Sequence, residues 1–174
     1  AVKNYVPMKS VNIRKSVAII GGGPAGLTVA EYLSTPGFGV YVIERQSALG
    51  GRLNHLSWIQ GVGDCASCMV AELTSEAIIG RNTKVFTDTQ LKSISGRIGD
   101  FKLTLELNPR FVDPQKCTAC GECASVCPRK RRGYGTEHGM KVIHMPSSLA
   151  YPMAYHIHPE HIERCAEDAS LPVA

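Results

Sequence analysis

The chain reads as α/β: a parallel sheet with crossover helices and one antiparallel hairpin, followed by a small cysteine-rich module. Three observations carry that reading. A short apolar run, Ser16–Ile20, leads at once into a glycine-rich loop and then a helical pattern. Two alternating apolar and polar runs flank Gly96 and Gly99. Four cysteines fall at C-x2-C-x2-C-x3-C-P spacing from Cys117 to Pro128. The first two features define a Rossmann-like half-domain over residues 1–110, and the third a ferredoxin-like module with a C-terminal tail over 111–174.

Ser16–Ile20 is almost wholly apolar, as a central parallel strand is when both faces are covered. Gly21-Gly-Gly23-Pro24-Ala25-Gly26 follows, and Leu27–Leu33 reads as a helix. A lone G-x-G-x-x-G says little, but between a strand and a helix it is the signature of a dinucleotide site. Gly21 permits the tight turn, Gly23 lets the backbone approach a pyrophosphate, and Gly26 lets the helix pack on the strand. The helix N-terminus then turns free N–H groups and the positive end of its dipole toward the phosphates. Pro24 and Ala25 lie inside this loop and are candidate contacts with it.

Ser34–Gly39 breaks the helix, and Val40–Ile43 is the second strand, with Glu44 at its end. Glu44 lies eighteen residues after Gly26, where an acid accepts hydrogen bonds from a ribose. The alternative is a solvated strand-end carboxylate. Arg45 follows as a further candidate contact. The doublet Gly50-Gly51 comes six residues after Glu44 and resembles the pattern of flavoproteins with two dinucleotide-binding domains, which selects FAD over NAD. Arg52 is either a phosphate contact or a surface arginine.

Cys65 and Cys68, preceded by Asp64, form a second, isolated C-x2-C. Two cysteines cannot enclose a cluster. They are two small buried residues, ligands of a cluster shared with distant cysteines, or a redox dithiol at a helix start. Met69–Ile79 reads as that helix, ending at Gly80, and Asn82–Phe86 as a third parallel strand. Gln90–Ser95 and Asp100–Leu107 pair as the hairpin, the crossover ribbon of a flavin-binding fold. Asn108–Pro114 reads as a linker.

The cysteine run has the bacterial ferredoxin spacing. Cys117, Cys120 and Cys123 converge on one [4Fe-4S] cluster, while Cys127, opening a new segment before Pro128, serves the other cluster in two-cluster ferredoxins. Zinc sites pair two C-x2-C hooks across a long spacer instead. One-electron transfer is therefore the first functional expectation. A second cluster on Cys65, Cys68, Cys127 and Cys165 would use all 7 cysteines of the chain. The run Arg129–Arg132 reads as a solvated basic loop that, beside a cluster, favours its reduced state or docks an acidic partner. His156, His158 and His161 read as polar loop histidines.

The net charge of +4 is mild and does not indicate nucleic-acid binding. No apolar run approaches the ~18 residues of a membrane span. The odd cysteine count, with four in one run, argues against a secreted disulfide scaffold and for a reducing, cytoplasmic setting.

Gly21–Gly26, Glu44 with Gly50-Gly51, Asp64–Cys68, and Phe111–Cys117 running into the cysteine motif resemble, in order and spacing, the A subunit of heterodisulfide reductase. The resemblance implies FAD in a thioredoxin-reductase-like domain with a ferredoxin module inserted in it. It also implies an oxidoreductase subunit whose electrons pass among flavin, clusters and the other subunits of an electron-transfer complex. The family continues into a second cysteine run and a closing flavin segment that do not follow here. The expectation is a fragment, a shortened paralogue, or a subunit whose flavin site is completed by another chain or by a second copy of this one. The rival reading is an iron–sulfur wiring and docking subunit without flavin.

Overall fold

A computed structural model describes residues 14–157 apart from 62, 80, 129, 134, 135 and 149. Strand β1 (Ser16–Ile20) feeds helix α1 (Pro24–Ser34), which returns to β2 (Gly39–Ile43). A 3-10 turn (Gly51–His55) leads to a two-residue ribbon, β3 (Trp58–Ile59) with β4 (Asp64–Cys65), and to helix α2 (Ala66–Ile78). Strand β5 (Thr83–Phe86) completes a parallel sheet in the order β1-β2-β5. Thus β2 is the central strand, and β1, read as central from its apolarity, is an edge among the described residues.

Pro24 opens α1 where a missing N–H costs nothing. Leu27, Ala30 and Ser34 then recur along one face and are buried. Leu27 and Ala30 meet Ile19, Val40, Val42, Leu49 and Ala77 in the core, with α2 packed beside α1. Leu27 and Leu49 are fully buried, each contributing roughly 1.5–3 kcal/mol of transfer free energy.

The opposite sheet face has no helix over it among the described residues. Strands β6 (Thr89–Arg97) and β7 (Asp100–Leu107) form the expected antiparallel hairpin, bulged between Leu91 and Ser93. Between hairpin and sheet lies an apolar cleft of about 640 Å3, lined by Ala18, Ile20, Tyr41, Phe86, Phe101 and Leu105 among others. Ile20 and Phe101 are more than half exposed there, so β1 is apolar on both faces while only one is covered.

After the hairpin come α3 (Glu122–Val126), the β8–β9 pair (Lys130–Gly133 with Thr136–Lys141), and the short antiparallel pair β10 (Ile143–His144) and β11 (His156–Ile157). Two expectations are corrected here. Lys130–Arg132 of the basic run is strand rather than loop. His156 is not a loop histidine: it is buried in β11 and packs on His144, ring centroids 4.3 Å apart. His158, His161 and Cys165 lie outside the described residues.

Candidate functional site

The glycine loop is built by close approach. A Cβ on Gly26 would sit 2.0 Å from the Gly21 carbonyl oxygen, so only glycine lets α1 start this near β1. A Cβ on Gly23 would meet nothing within 4 Å. The open space at Gly23 is where a diphosphate would approach the first turn of α1, whose opening N–H groups have no helical partner. Gly21 N–H donates to the Ile43 carbonyl, fixing the loop to the end of β2 (2.8 Å).

Glu44 is not a solvated carboxylate. It is 6% exposed, and it accepts Gly22 N–H on Oε2 and Gln46 N–H on Oε1, both at 2.7 Å. The carboxylate thus lies against the glycine loop with its orientation fixed, and each oxygen keeps a lone pair for a further donor. The doublet joins the same site: Gly50 N–H donates to the Gly22 carbonyl at 2.8 Å. Gly50 has φ +108°, and a Cβ there would lie 2.6 Å from Asn54 Oδ1 and 2.7 Å from Val70 Cγ1. Gly51 comes so near the loop that its Cβ would be 3.3 Å from Gly23 Cα. The structure therefore brings together Gly21, Gly23, Pro24, Ala25, Gly26, Glu44 and Gly51. Arg45 and Arg52 are exposed.

The cysteine run wraps through two left-handed residues, Ala119 (φ 58°) and Gly121 (φ 86°), before Cys123 enters α3. Asp113 starts the wrap: its carbonyl accepts Cys117 N–H at 3.0 Å and its Oδ1 accepts Gln115 N–H at 2.9 Å. The backbone N–H of Glu122 and the hydroxyl of Thr118 hold the Cys120 thiol below its ordinary pKa. Burial, joined by the charges of Cys117 and Cys120, pushes the Cys123 thiol up. A cationic iron core bound here would neutralise the charge of these thiolates. Tyr155 N–H approaches Cys117 Sγ at 3.5 Å, a donor of the kind that supports a cluster ligand. Cys127 is buried, and its carbonyl accepts from Lys141 Nζ. Among the described residues no three His, Cys, Asp or Glu side chains are grouped to hold a single metal ion; cluster ligands, which reach separate irons, need not be.

Sequence reasoning missed Arg110, which it left in a linker. The guanidinium is 8% exposed and pairs with Asp88, 15% exposed, at 3.1 Å. Its Nη1 also donates to the Ser47 carbonyl (2.8 Å), Nη2 to the Ala154 carbonyl (2.6 Å) and Nε to the Tyr155 carbonyl (3.2 Å). Ser47 Oγ donates to Asp88 as well (2.6 Å). Burial lowers the Arg110 pKa, while Asp88 and Cys117 oppose that shift. Arg110 thus ties the loop after Glu44 to the segment whose Tyr155 N–H faces Cys117. The only local signal was an arginine between Pro109 and Phe111.

A glycine-loop parallel sheet joined to a four-cysteine wrap defines a dinucleotide-binding iron–sulfur protein. Family descriptions agree: an NAD(P)-binding Rossmann-like domain matches residues 19–61, and a 4Fe-4S binding domain matches residues 110–130. The iron-sulfur A subunit of CoB--CoM heterodisulfide reductase from Methanocaldococcus jannaschii is 38% identical over 165 residues, 92% of this chain and 25% of that protein. The A subunit of the H(2)/formate:CoB-CoM heterodisulfide,ferredoxin reductase from Methanococcus maripaludis is 38% identical over 157 residues, 87% of this chain and 23% of that one. Lactococcus lactis thioredoxin reductase is a partial structural likeness, with TM-score 0.47, 22% identity, and coverage of 53% of this chain and 31% of that one. Through most of its length the chain is like the A subunit of heterodisulfide reductase in sequence, and it spans about a quarter of the length of these relatives. No helix among the described residues is long and apolar enough to cross a membrane.

Proposed function

We propose that the chain is an electron-transfer component of an oxidoreductase complex, passing electrons between FAD and a [4Fe-4S] cluster. One observation carries this: the buried Glu44 carboxylate braced on the glycine loop shares a chain with the ferredoxin cysteine wrap, and Arg110 joins the two. Gly21, Gly23, Pro24, Ala25 and Gly26 would line the diphosphate, Glu44 would accept from the ribose, and Gly51, with Arg45 and Arg52, would border the cofactor. Cys117, Cys120 and Cys123 would hold the cluster, and Cys127 would ligate it or a neighbour. Bound flavin exchanges one or two electrons and a cluster one, so the protein supplies binding, orientation and electrostatics rather than an acid or base.

The relatives are named as subunits, and the apolar cleft is open between sheet and hairpin, so the proposal includes partner subunits in a reducing, cytoplasmic compartment. The proposed division is a flavin half over 1–110 and an iron–sulfur module over 111–174. Cofactor analysis of the native protein tests the reading. About one flavin together with about four irons and four sulfides per chain is expected; iron and sulfide without flavin would favour the wiring subunit, and zinc alone would end both. Light scattering separates a partner subunit from a second copy.

A further inference from the structure

The cysteine pair at the start of α2 is outside the site just described. Cys65 is the N-cap of a 13-residue helix, a place usually taken by Ser, Thr, Asp or Asn, and its Sγ accepts Cys68 N–H at 3.3 Å. Cys65 is partly buried and Cys68 exposed, so the pair is neither a fully buried packing element nor closed off from a reactant. Positions i and i+3 at a helix start face the same side, which places the two sulfurs for a disulfide without unwinding α2. The ribbon before the helix adds a neighbour: Trp58 is directly opposite Cys65 in the β3–β4 pair, where paired residues share a face. Trp58 is 59% exposed and is the single tryptophan of the chain.

We infer that Cys65 and Cys68 are a redox-active dithiol that exchanges two electrons with a disulfide, Cys65 attacking and Cys68 resolving. The Cys65 thiolate attacks one sulfur of the disulfide; that S–S bond breaks and the first thiol leaves, taking a proton from solvent. Cys68, losing its proton, then attacks Cys65 Sγ, the mixed disulfide breaks, and the second thiol leaves. The two protein thiols are oxidised to one disulfide, and the substrate disulfide is reduced to two thiols. The assignment of roles follows the hydrogen bonds. The N–H of Cys68, in the opening turn of α2, points at Cys65 Sγ and stabilises charge there. Cys65, whose sulfur holds that donor, is therefore the attacking thiolate, and Cys68 is the proton-bearing partner.

The test uses native protein under anaerobic conditions, equilibrated in buffers of reduced and oxidised glutathione at graded ratios, then alkylated and mapped by mass spectrometry. The peptide holding Cys65 and Cys68 is expected to pass through one two-electron transition, and Trp58 fluorescence to change at the same ratio. Cys68→Ser is expected to accumulate a glutathione mixed disulfide on Cys65 that the native protein does not. Cys65→Ser is expected to slow capture of glutathione by about tenfold or more. Three results would overturn the inference: both thiols staying alkylatable at every ratio; capture on Cys68 with Cys65 untouched; or both cysteines shielded from alkylation until iron is chelated, with iron content falling in Cys65→Ser and Cys68→Ser, which would make them cluster ligands.

Discussion

Replacing Arg110 with methionine removes a side chain that bonds both the loop after Glu44 and the segment around Tyr155. Methionine keeps an unbranched apolar stem of similar length, so most of the packing along the side chain survives and the lost charge and donors dominate. Three bonds to carbonyls at about 1 kcal/mol each, and one to a carboxylate at about 1.5–3, come to several kcal/mol. The ion pair alone gives the same scale: Asp88 is 15% exposed, and stranding one partner of a buried ion pair costs about 3–5 kcal/mol. The expected loss is therefore about 3–5 kcal/mol, read from the midpoint of anaerobic urea unfolding followed by circular dichroism. Cluster absorbance should bleach at lower urea than in the native protein, because Tyr155 loses the contact that positions its N–H near Cys117. Asp88→Asn, which can keep its bond from Ser47, should cost less. A loss below about 1 kcal/mol, the scale of an exposed pair, with unchanged cluster bleaching, would refute this role for Arg110.

Other substitutions separate binding from folding. Gly23→Ala should leave unfolding unchanged, since a Cβ there meets nothing within 4 Å, yet weaken flavin in a binding titration; equal flavin affinity would move the diphosphate elsewhere. Gly26→Ala drives a Cβ into the Gly21 carbonyl and should lower stability by about 1–3 kcal/mol even without flavin, read by the same urea titration. Glu44→Gln weakens a charge-assisted acceptor and should reduce flavin affinity by roughly 1–3 kcal/mol, with iron content unchanged. Cys120→Ala should abolish the low-temperature paramagnetic signal of the reduced cluster while flavin content holds.

What was legible in the sequence was local. The apolar run into Gly21–Gly26, the alternation around Gly96 and Gly99, and the spacing from Cys117 to Cys127 each lie within a few residues, and each depends on backbone geometry that side-chain type reveals. Arg110 was not legible, because its partners Ser47, Ala154 and Tyr155 stand 63, 44 and 45 residues away. His156 was misread for the same reason: its strand exists only by pairing with β10. Helix α2 was expected from Met69 and begins at Ala66, since cysteine is not a usual cap. The edge position of β1 was hidden because apolarity on both faces also suits an open cleft.

The proposed function rests on electron exchange between flavin and cluster within this protein. Stepwise anaerobic photoreduction of the native protein, followed by visible absorption and low-temperature paramagnetic resonance on the same samples, tests it most directly. The predicted result is flavin bleaching together with growth of a [4Fe-4S]+ signal, and loss of that signal alone in Cys120→Ala. A fully reduced flavin beside an intact cluster that stays oxidised to the end point would contradict it.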